Sequence, residues 1–161
     1  MKKFFLLTIL LIVGIIVISS FTKKSEMPAQ YKIDNENFKQ SVILLNEARD
    51  LSNPPGSENQ PSFELLKETE EKIFSNTEEG IRLGKLVSDD YLDYMHPELK
   101  NIFKNKLIKG AEIYYEGLMM NNAGNITEGV QKQIQGNQLI IEWINWFDKN
   151  GKSITDKVFE D

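Results

Sequence analysis

Residues 138–151, QLIIEWINWFDKNG, decide the fold. Their β-branched and aromatic residues suit a strand running into an Asn150-Gly151 hairpin turn. Read with a period near 3.6, Ile140 or Ile141, Ile144 and Phe147 instead continue a helical series begun by Ile126, Val130 and Ile134. That series has a start signal, since Asn125 followed by Glu128 can cap a helix, and it runs to about Lys149. Alternation with period two persists over no useful length anywhere in the chain. The stretch therefore reads as helix. Gly151 then reads as the left-handed residue that closes it, with Ser153 to Phe159 a short terminal turn or helix.

The Asp-x-Asn-Gly opening at Asp148 also resembles the start of a calcium loop, and the register rejects it. Such a loop needs oxygen ligands at positions 1, 3, 5 and 12 and glycine at position 6. Counting from Asp148 puts Lys152 at position 5, Ser153 at 6 and Phe159 at 12. A lysine stands where the cage needs an acid.

Working back from this helix, the rest of the chain shows the same period. Phe38, Val42, Leu45 and Ala48 mark a helix over about 35–52, capped by Asp34 or Asn35. The stretch SNPPGSENQP, 52–61, is a loop, and Pro61 suits the first turn of the next helix. Phe63, Leu66, Ile73, Leu83 and Val87 carry an apolar stripe through that helix. Ser75-Asn76-Thr77-Glu78 is a capping signal that divides it in two or lies within one long helix. Pro97 opens a further helix over about 97–121, with Leu99, Phe103, Leu107, Tyr114 and Leu118 on one side. Gly110 and Gly117, seven residues apart, imply close approach by a neighbouring helix. The expected fold is all-α, four to five antiparallel helices in a bundle over 34–161.

Ahead of the bundle, Phe4 to Phe21 form an 18-residue, largely apolar run between Lys2-Lys3 and Lys23-Lys24. About 20 apolar residues span a hydrocarbon core as a helix, so residues 1–24 read as a membrane anchor crossing at 4–21. The alternative is a signal segment cleaved near Ser19, although Ile15 to Ile18 continue the apolar run up to that site. Lys2, Lys3 and the terminal amine place the remainder outside the cytoplasm. Residues 25–33 read as a polar tether.

The chain has no cysteine, which excludes disulfides, thiolate metal sites and a lipid-modified cysteine. Two of its 19 basic residues precede the apolar run, leaving 17 against 24 acidic residues and a net charge of −7 for residues 22–161. With no basic cluster to offset it, this excludes nucleic acid as a partner.

Three constellations remain. Asp89, Asp93 and His96 fall at i, i+4 and i+7, so one helical face can present an imidazole and two carboxylates to a divalent metal, with Glu98, Glu112 and Glu116 as supplementary ligands. The competing reading is a solvated acidic face with His96 as a cap. Tyr115, Trp143 and Trp146 form an aromatic group that is either a protein-binding patch or part of the core. Asn125-Ile126-Thr127 matches a glycosylation sequon, which the helix cap explains equally well. No nucleophile–base arrangement and no phosphate-binding glycine pattern is present, and no cofactor is implied. Function is read as membrane-tethered binding to a protein partner in the cell envelope, as an accessory, adaptor or inhibitor. The alternative is a small metal- or ligand-binding bundle built on Asp89, Asp93 and His96.

Overall fold

The computed structural model describes residues 27–52 and 63–158. The expected membrane segment, residues 4–21, lies outside the described residues, as does Pro61. Among those described, no helix is long and apolar enough to cross a membrane. The described chain is helical throughout. A 3-10 turn, Ala29–Tyr31, leads into α1, Lys32–Ser52, and α2 is Phe63–Leu86. A short α3, Asp89–Met95, is followed by α4, Leu99–Ile102, a π-helical segment, Phe103–Ile108, and α5, Lys109–Asn122, which run on as one rod. The last helix, α6, is Ile126–Val158. The helix is the correct reading of residues 138–151, and no strand occurs among the described residues.

Gly151 departs from expectation. It is a buried residue inside α6 and does not end it. Trp143, Phe147 and Ile154 carry the inward period straight through position 151, and the Phe147 ring fills the space a side chain would take there, 2.7 Å from an added Cβ. Among the described residues, the glycine with a left-handed backbone is Gly124, at φ 88°, in the turn between α5 and α6. Similarly, the Ser75–Glu78 signal does not restart α2. Thr77 Oγ1 donates to the Ile73 carbonyl at 2.7 Å, and Asn76 Nδ2 donates to Glu47 of α1 at 3.0 Å, so both polar side chains are used within a continuous helix. Part of the expected tether belongs to the folded unit, since Met27 and Tyr31 pack against the core.

Two antiparallel hairpins make the bundle, α1 with α2 and α5 with α6. Glycines set the spacing in both. A Cβ on Gly117 would lie 2.5 Å from the Gly129 carbonyl oxygen, and one on Gly136 would lie 2.5 Å from that of Gly110. The close approach expected of Gly110 and Gly117 is thus made to a second pair with the same seven-residue spacing, so α5 and α6 meet backbone to backbone. In the other hairpin Gly80 faces Leu45, and Ser41 Oγ donates to the Gly80 carbonyl at 2.7 Å. Phe38, Tyr91, Leu92, Met95, Leu99, Phe103, Trp143 and Ile154 form the core between the hairpins. The wider π turn brings Leu107 and Ile108 both inward.

Gly117→Ala and Gly136→Ala should each lower stability by about 1–3 kcal/mol, because backbone overlap outweighs the roughly 1 kcal/mol of helix propensity gained. Gly151→Ala should change it by less than about 1 kcal/mol, since only a side-chain ring must move. Urea midpoints of the three variants check this, and a large loss at Gly151 alone would restore a turn at that position.

Candidate functional site

The acidic group expected to hold a metal is used otherwise. Ser88 caps α3, its Oγ accepting from the Tyr91 amide at 3.3 Å, which turns Asp89 and Asp93 outward along one edge. Both carboxylates face Lys100, at 3.4 and 3.7 Å, and together they hold its ammonium above the usual lysine range, the Asp89 hydrogen bond most strongly. His96 ends α3 in extended conformation, as the residue before Pro97 must, and its imidazole Nδ1 accepts from the Glu98 amide at 3.2 Å. Its ring lies edge-on to Trp146 with centroids 5.2 Å apart. Among the described residues, no three histidine, aspartate or glutamate side chains are grouped to hold a metal ion. Glu112 instead pairs with Lys85 at 2.6 Å, and Glu116 with Lys132 at 2.9 Å.

The aromatic group is divided. Trp143 is only 3% exposed, sandwiched between Phe103 and Phe147, and offers no surface to a partner. Trp146 is half-buried beside it and donates its indole N–H to Glu98 at 2.8 Å, pinning α6 to the turn that follows α3. Tyr115 packs edge-on against Phe74 of α2. The structure does not bring these three side chains together on one surface.

Polar ties fix the adjoining corner of the bundle. Asp34, at the start of α1, accepts from the Ser88 amide at 2.8 Å and the Ser88 hydroxyl at 2.6 Å. Tyr91 donates its hydroxyl to the buried Asn35 at 2.8 Å, and burial pushes its pKa well above the usual phenol range. Lys104 emerges from the π segment and donates to the carbonyls of Gly84, Lys85 and Val87, at 3.0, 3.3 and 2.6 Å. It therefore caps α2, whose last carbonyls have no partner within the helix. Burial pulls its pKa below the usual lysine range. These contacts place and hold helices. A crevice of about 30 Å³ between Leu45, Ala48, Ala111, Tyr114, Asn137 and Ile140 has room for about two waters.

The feature that stands out is the outer face of α6. Ile126 is 57% exposed, Val130 41%, and Ile134 and Ile141 53% each. At helical spacing they line one side, and Thr127, Gln131, Gln138 and Asn145 stand exposed beside them. Residues 126–145 carry three charges, and none interrupts this face. Lys132 and Glu142 reach across to α5 and the π segment, to Glu116 at 2.9 Å and Lys106 at 2.7 Å, while Glu128 falls on the far side by helical position. The apolar period groups Ile126, Val130 and Ile134 in one series with Ile144 and Phe147, which pack against the core. The glycines displace them: Gly129, Gly136 and Trp143, seven apart, take the inward face, and the aliphatic series is turned away from it, by roughly a sixth of a turn at Ile126 and nearly half a turn at Ile134 and Ile141. The signal available in the sequence is that this one helix carries two apolar stripes.

Lys104→Met should lower stability by about 1–3 kcal/mol, through the loss of a charged donor to three carbonyls, and Lys104→Arg should recover part of that loss. Thermal melts read against the parent chain check the pair.

The chain matches no protein-family model, no curated protein and no solved structure.

Proposed function

We propose that this protein is a membrane-tethered, extracytoplasmic helical bundle that acts by binding another protein, through the outer face of α6. The observation that carries the reading is the uncharged apolar face of Ile126, Val130, Ile134 and Ile141, on a chain in which 27% of residues are charged. Large aliphatic side chains held about half exposed on a rigid helix, rimmed by amides and a hydroxyl, have the composition of an interface centre, where charge is depleted. A partner helix with an apolar stripe of its own would bury them by ridges-into-grooves packing. The apolar run at 4–21 and the lysines before it support the tether and the side of the membrane. An adaptor, accessory subunit or inhibitor acts in this way. The metal-binding alternative has no geometric support in the positions of Asp89, Asp93 and His96.

A photo-crosslinking residue placed at Ile134 of the full chain, in its native membrane, should yield a discrete crosslinked protein. Placed at Glu68, on the exposed side of α2, it should not. Val130→Glu with Ile141→Glu should abolish the Ile134 crosslink and leave stability within about 0.5 kcal/mol, as expected of exposed positions. An unchanged crosslink in that variant would overturn the reading.

A further inference from the structure

Among the described residues, the exposed apolar side chains of the bundle fall mainly into two groups, and the second lies where the chain leaves for the apolar run. Ile33 is 77% exposed, Leu86 56% and Tyr94 38%. All three sit at one end of the molecule. Asp34, next to Ile33, is bonded to Ser88, two residues beyond Leu86, and the Tyr94 ring lies 4.9 Å from that of Tyr31. Tyr31 and Met27 pack on the core at the same end, so the path toward residues 4–21 begins there.

The length of that path limits where the end can be. Between Phe21, the last residue of the apolar run, and Met27 there are six peptide steps, at most about 20 Å of chain. The long helix α6 is about 50 Å from end to end. An anchored bundle therefore keeps the end bearing Ile33, Leu86 and Tyr94 close to the lipid headgroups. We infer that this end, through Ile33, Leu86, Tyr94 and Tyr31, rests on the bilayer surface, and that α1, α2 and α6 stand up from it. Tyrosine is favoured at that depth because its ring is apolar and its hydroxyl is hydrated. Asp89, Asp90 and Asp93 at this end are exposed, so the surface that fits is a zwitterionic one. The inference rests on the tether reading and adds to it an orientation. The aliphatic face of Ile126 to Ile141 then runs away from the membrane, with Ile126 at the far end and open to a partner protein.

The absence of cysteine makes the test direct. Full-length Ile33→Cys, Leu86→Cys and Ile134→Cys chains, each carrying an environment-sensitive fluorophore, are reconstituted into phosphatidylcholine vesicles and floated on a density gradient. A headgroup-level lipid quencher should then reduce emission at positions 33 and 86 at least threefold more than at position 134. Chains that do not float with the vesicles would overturn the tether reading and this inference together. Floating chains with position 134 quenched as strongly as 33 and 86, or with none of the three quenched, would overturn the orientation alone.

Discussion

Backbone contact between α5 and α6, at Gly117 with Gly129 and Gly110 with Gly136, is the constraint from which the rest of the surface follows. It fixes which side of a 33-residue helix points inward. Once Gly129 and Gly136 face α5, the period carries Trp143 and Ile154 into the core. The same rotation leaves Ile126, Val130, Ile134 and Ile141 outside. Glycine costs about 1 kcal/mol per position in a helix relative to alanine. The close approach it permits brings many atoms into contact at once, and dispersion summed over such an interface outweighs the loss.

At the other end, order comes from polar groups. The corner between α2 and α3 has several backbone amides and carbonyls without helical partners, and the chain supplies them from a distance in sequence. Asp34 takes the Ser88 amide and hydroxyl, and Lys104 takes three carbonyls. Each is charged, so each bond is stronger than a neutral one. Their joint effect is to join α1, the α2 end and the π segment into one rigid corner, against which Trp146 and Glu98 pin α6. One end of the bundle is thus fixed by polar bonds and the other by glycine packing, and exposed apolar side chains remain at each.

The helices were legible because apolar residues recur at three and four along each, and the loops because proline and glycine gather between them. The Gly110 and Gly117 spacing announced a close neighbour; their partners went unread because nothing local marks Gly129 and Gly136 as a complementary pair. Gly151 was misjudged for an instructive reason. Asp-Lys-Asn-Gly is good stop chemistry, but Phe147 and Ile154 on either side continue the buried period, and burial outweighs a local preference. The site was less legible still. His96 and the aspartates have metal-ligand spacing, yet Lys100 and Trp146 take them up, and neither contact follows from local sequence. Tryptophan is a common interface anchor, and here Trp143 is core while plain aliphatics form the open face.

Helix α6 runs unbroken through Gly151, and that continuity carries the inward period set by Gly129 and Gly136 on to Phe147 and Ile154. Amide hydrogen exchange of the full-length chain, read residue by residue in detergent micelles, tests it most directly. The amides of residues 147–154 should exchange slowly, with protection comparable to that of residues 136–146. Fast exchange at Lys149 to Ser153, between protected flanks, would refute it: the helix would end where its sequence suggests, and Ile154 would no longer be carried into the core by the period of α6.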